Sequence, residues 1–142
     1  MNTRHWRIAL IVWVILIFVA SSGLLSSDNT EKILVYNILN YAVRKLAHIA
    51  EYAVLVFLGF RSLWTKPKRF AQCLIWSVVL SILYAASDEW HQSFVPNRLG
   101  IWTDVVWDAA GAILAGIGLY CTQKWGSVEA QRRLLGSPAV GE

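Results

Sequence analysis

The chain has 142 residues, of which 56% are hydrophobic and only 15% charged, with a net charge of +4. A soluble domain of this size needs roughly a quarter of its residues charged to cover its surface, so the composition excludes an ordinary soluble fold and calls for a lipid solvent. The excess of positive charge does not indicate nucleic acid, because the basic residues are dispersed between apolar runs and form no patch interleaved with aromatics.

Spanning about 30 Å of hydrocarbon takes about 20 mostly apolar residues in a helix. Four runs qualify: residues 8–25, 46–64, 70–87 and 105–123. They are continuous rather than alternating and too long for barrel strands, which predicts an all-α bundle. The basic start and Ala20-Ser21-Ser22 of the first run also fit a cleavable signal segment. The uncharged stretch continues to Leu25, however, which favours a span.

Charge between the runs sets the direction. One side collects nine basic residues, among them Arg4, Arg7, Arg61, Arg69 and Arg133, against Glu129 and Glu142. The other collects Lys32, Arg44, Lys45 and Arg98 against seven carboxylates. Both termini are therefore expected in the cytoplasm, with Trp6, Trp64 and Trp125 at the inner interface and Trp90 and Trp102 at the outer one. Residues 1–125 form the expected membrane domain, and residues 126–142 a short, polar, frayed cytoplasmic tail. Cys73 and Cys121 fall near the cytoplasmic ends, where a disulfide is not expected, and read as small apolar fillers.

Between the first two runs, Asp28 and Glu31 fit a capping box, so a short extracytoplasmic helix is expected there, running toward the second span. Three polar stripes then emerge at helical periodicity. Asn37, Asn40, Arg44, His48 and Glu51 share one face, and Ser77, Ser81, Tyr84, Asp88 and His91 a second. Asp104, Asp108, Gly111, Ala115 and Gly118 share a third, its small residues permitting close helix approach in lipid. The simplest assembly turns these faces inward and leaves the first span as a mostly lipid-facing anchor. Ion pairs alone could explain some of the charge, but ionisable groups within spans are costly and mark functional sites by default.

Two segments carry a family resemblance: RKLAHIAEY at residues 44–52 and SDEWHQSFVPNRLGIWTDVVWD at residues 87–108. Lys45, His48, Glu51 and Tyr52 are similar to the K-x-x-H-x-x-E-Y motif of the VanZ-like family of bacterial membrane proteins. Asp88, Glu89, Gln92, Phe94, Pro96 and Arg98 match its second motif, and Asp104, Asp108 and Gly111 its third. The resemblance covers about residues 42–118; His91 lies at a variable position, and Asp108 stands where many members carry asparagine. It implies a cell-envelope protein of the bacterial inner (plasma) membrane, in a family whose founding member is associated with glycopeptide (teicoplanin) resistance. It carries no agreed reaction and leaves any cofactor unknown.

Three functions follow from these residues. In the first, a pocket facing outward binds or processes an anionic lipid-linked headgroup, with membrane lipids or lipid-linked envelope precursors as partners. Arg44, Lys45, Gln92 and Arg98 would hold the headgroup, while His48, Glu51, Asp88, Asp104 and Asp108 would supply acid–base chemistry. In the second, His48 and Glu51, Asp88 and His91, and Asp104 and Asp108 gather zinc, manganese or iron for hydrolysis. In the third, the protein is a non-enzymatic accessory affecting glycopeptide susceptibility. A channel is not expected, because residues 53–60 offer no polar group below Glu51.

Overall fold

The computed structural model describes residues 3–22, 34–64, 69–95 and 100–136. Four long helices dominate: α1 (Arg4–Ser21), α2 (Leu34–Leu63), α3 (Phe70–Gln92) and α4 (Trp102–Trp125). Each is long and apolar enough to cross a membrane. No strand occurs among the described residues. At a rise of about 1.5 Å per residue, α3 and α4 are about 35 Å long, which matches the hydrocarbon core with a turn to spare.

Three boundaries differ from expectation. α2 is continuous from Leu34, so the expected short helix before the second span is its first turns. The anticipated capping residues Asp28 and Glu31 lie outside the described residues. α3 carries on through Asp88 and Glu89 to Gln92 rather than stopping at Ser87. It can do so because both carboxylates find hydrogen-bond donors inside the bundle. α4 likewise starts at Trp102, a turn before its apolar run.

α2 is the hub and packs against each of the other long helices. Its closest partner is α4, where Gly111 sits directly on the α2 backbone. A Cβ there would stand 2.2 Å from the carbonyl oxygen of Ile49. Gly116 faces α3 instead, where a Cβ would meet Val78 Cγ2 at 2.9 Å. Gly118, expected in the same small-residue face, looks into open space and makes no close approach. Gly116 meets a different neighbour because it lies five residues on, about 140° around α4 from Gly111.

α1 keeps most of its surface outward, as expected of an anchor, with only Ile17 and Ser21 buried. It leans mainly on α2 and meets α3 over its second half, at Val14, Phe18 and Ser21. Large apolar side chains such as Ile11, Leu83 and Leu114 cover the outside of the bundle and are about 60% exposed in the protein alone. Water would not tolerate so continuous an apolar surface; hydrocarbon would.

The end of the bundle bearing the chain termini corrects two further expectations. Trp64 is buried against Phe60 and Phe70, not spread at an interface. The segment after α4, expected to be frayed, folds back as α5 (Val128–Ala130) and a π-helical turn (Gln131–Leu135). Ser127 Oγ caps this hook by accepting from Ala130 N at 3.2 Å. Leu135 is fully buried with Val56, Phe60 and Leu119. The hook exposes carbonyls at its end, and Arg61 answers them by donating from Nη1 to Leu134 O at 3.2 Å. Its guanidinium also lies 4.4 Å from the Trp6 ring. Cys73 is buried and Cys121 half-buried; both are free thiols.

Candidate functional site

The opposite end of the bundle holds the polar residues. They arrive there because each is spaced by helical turns on α2, α3 or α4. Lys45 on α2 donates to Asp104 Oδ1 at the start of α4. One turn deeper, His48 Nδ1 lies 2.9 Å from Asp108 Oδ1, an oxygen of a carboxylate almost wholly buried. These two contacts form a ladder along the α2–α4 seam, and Gly111 lies one turn below the second rung. The glycine lets the two backbones approach closely beside the His48–Asp108 rung.

Asp88 forms a second cluster. Its Oδ1 accepts from Ser21 Oγ of α1 at 2.6 Å, and its Oδ2 accepts from Gln92 Nε2 at 2.8 Å. Glu89 turns to the start of α4, where its Oε2 accepts from the backbone N–H of Ile101 at 3.0 Å. That bond satisfies a donor beside the first turn of α4 and places a carboxylate near its positive end. Among the described residues nothing bonds the other oxygen, Oε1, although it is buried.

Glu51 lies between the two clusters, half-buried and within electrostatic reach of His48, Asp108 and Asp88. Its backbone carbonyl accepts from Trp13 Nε1 of α1 at 3.1 Å, but its carboxylate is bonded to nothing among the described residues. Tyr52, next in sequence, is 1% exposed, and its hydroxyl also has no partner there. Tyr84 contrasts with it, donating to Val14 O of α1 at 2.9 Å.

Of the residues expected to act, Lys45, His48, Glu51, Asp88, Gln92, Asp104 and Asp108 thus share one end of the bundle. Arg44 is exposed beside them on α2. Arg98 lies outside the described residues. His91 does not turn into the cluster; its ring stacks on Phe18 of α1, with centroids 4.8 Å apart. Among the described residues, no group of three His, Cys, Asp or Glu side chains converges as a metal ion would require.

The residues of this polar end that sequence reasoning did not assign to the site are Ser21, Tyr52 and Glu89. Tyr52 and Glu89 lay inside the quoted motifs, where two buried polar side chains without an obvious role were the available signal. Ser21 gave none, because periodicity within α1 says nothing about where α1 docks.

Chemically, the arrangement can do two things. Carboxylate oxygens left unpaired at Glu51 and Glu89 accept hydrogen bonds from hydroxyl or amino groups. The Asp108 carboxylate fixes the His48 ring through Nδ1 and leaves Nε2 to receive or release a proton.

A family model described as VanZ/LLP1 matches residues 6–124 of the chain. No curated protein and no solved structure matches it.

Proposed function

We propose, from the premise that the chain belongs to the VanZ/LLP1 family, that its polar end is a binding site for the headgroup of a lipid-linked phosphate at the extracytoplasmic leaflet. The observation that carries this reading is unspent hydrogen-bonding capacity beside fully engaged ion pairs. Lys45, His48, Asp88, Asp104 and Asp108 are paired with one another or with neighbours, as a purely structural cluster would be. The Tyr52 hydroxyl and Glu89 Oε1 are buried without a partner among the described residues, and the half-buried Glu51 carboxylate bonds to none of them either. Leaving buried polar groups without partners costs about 1–3 kcal/mol each, and a ligand that fills them recovers that cost.

The charge balance shapes the ligand. Lys45 is committed to Asp104, so the phosphate falls to Arg44 at the rim and to Arg98. The carboxylates inside suit the donors of a sugar or amino headgroup rather than a second anion. The His48–Asp108 dyad stands where it can move a proton if the bound headgroup is processed. A change in glycopeptide susceptibility would follow from engaging an envelope precursor in this way.

A structural role is favoured by the way Lys45–Asp104, His48–Asp108 and Ser21–Asp88 each bridge two helices. Thermal unfolding in detergent separates the two readings. A polyprenyl phosphate carrying a sugar is expected to raise the midpoint of the wild type, by about 2.7 kcal/mol at a hundredfold excess over the dissociation constant. Glu51→Gln should lose most of that gain while unfolding like the wild type without lipid. If the variant gains as much as the wild type, the headgroup is not at this site.

A further inference from the structure

Below the polar end, a cavity of about 220 Å³ opens between α1 and α3, with α2 as its floor. It lies below the contacts that α3 makes with Val14, Phe18 and Ser21 of α1, where the facing residues are small. They are Gly59, Ser62, Ser77 and Ser81. The remaining wall is carbon from Leu10, Val14, Leu55 and Leu80.

The serines do not make the groove polar. Ser62, Ser77 and Ser81 each donate to a carbonyl of their own helix, at 2.8, 2.6 and 2.8 Å. A slot whose hydroxyls are already satisfied offers carbon to whatever enters it.

Its position relative to the polar end identifies the occupant. On the α2 wall the groove begins at Leu55, one turn below Glu51. On the α3 wall it begins at Tyr84, one turn below Asp88. A carboxylate of the polar site therefore stands about 6 Å above the groove on both sides. From Leu55 to Leu63 the slot follows about 12 Å of helix, running toward the other face of the membrane.

We infer that this groove seats the hydrocarbon chain of the same lipid whose headgroup occupies the polar end. The inference rests on the headgroup reading above and adds to it a second subsite, for an acyl or prenyl tail. Head and tail then bind as one ligand, the tail entering laterally from the membrane between α1 and α3. Specificity would follow, since a soluble headgroup lacks the tail's contribution and a bulk phospholipid lacks the headgroup's.

Photo-crosslinking in nanodiscs tests this with a sugar-bearing polyprenyl phosphate carrying a diazirine partway along its chain. The labelled residues are read by peptide mass spectrometry. Label is expected on Val14, Leu55 and Leu80, and excess unlabelled lipid should abolish it. Leu80→Trp, at the half-exposed mouth, should lose most of the competed label, whereas Leu114→Trp, on the outward surface, should keep it. The proposal is overturned if label spreads over outward residues such as Ile11 and Leu114 without competition. If the headgroup still stabilises the protein in that case, the groove alone fails and the headgroup reading stands. If neither stabilisation nor competed label appears, both fail together.

Discussion

Substituting Gly111 by alanine adds one methyl group at the tightest point of the α2–α4 seam. That methyl would stand 2.2 Å from Ile49 O, 2.8 Å from its Cα and 2.9 Å from its carbonyl carbon. All three are backbone atoms, so no rotamer change relieves the clash. Restoring an ordinary contact of 3.4 Å requires the helices to part locally by about 1.2 Å. The His48–Asp108 pair lies one turn away at 2.9 Å, and the same displacement stretches it to about 4 Å, beyond hydrogen-bonding range. Overpacking costs about 1–3 kcal/mol, to which the lost pair adds. Gly118→Ala is the control, since nothing lies within 4 Å of its added methyl, and removing a helical glycine gains up to about 1 kcal/mol. Thermal unfolding in detergent should show Gly111→Ala well below the wild type and Gly118→Ala at or above it. Equal midpoints for the two variants would refute the close approach and the ladder built upon it.

Four other outcomes are expected. Asp108→Ala should destabilise by about 1–3 kcal/mol by orphaning His48, whereas Asp108→Asn, which keeps an acceptor for Nδ1–H, should lose clearly less; chemical denaturation ranks them. Tyr52→Phe removes a hydroxyl without a partner among the described residues, so unliganded stability should hold or rise while lipid-induced stabilisation falls. Leu135→Ala should cost about 2–4 kcal/mol if the C-terminal hook closes the bundle, and next to nothing if the tail frays. Gly136→Ala places a side chain at φ 68° and onto the Arg61 guanidinium, so limited proteolysis should cut the hook faster than in the wild type.

Hydrophobic run length made the four helices legible, because a span must satisfy its backbone internally and so must be long and uninterrupted. Helical periodicity made most of the site legible too. His48 with Glu51, Tyr84 with Asp88, and Asp104 with Asp108 each had to share a face wherever the helices packed. What periodicity cannot supply is the partner across the seam. That Lys45 rather than Arg44 meets Asp104, and that Ser21 reaches Asp88, depend on how the helices rotate and slide against one another. His91 shows the same limit, since its stripe is right but its ring is drawn to Phe18. The hook was missed for a different reason. The few scattered apolar residues of the tail give no periodic signal, yet Leu135 fills the end of the core.

Native mass spectrometry of the gently purified protein tests the central claim most directly. The wild type should carry a lipid-linked phosphate with a sugar or amino headgroup at about one copy per chain. Glu51→Gln and Arg44→Ala should release it while unfolding at the same temperature as lipid-stripped wild type. If both variants retain the lipid, or if the wild type carries only bulk phospholipid, the polar end is not a headgroup site. Its ion pairs would then serve to hold the helices together.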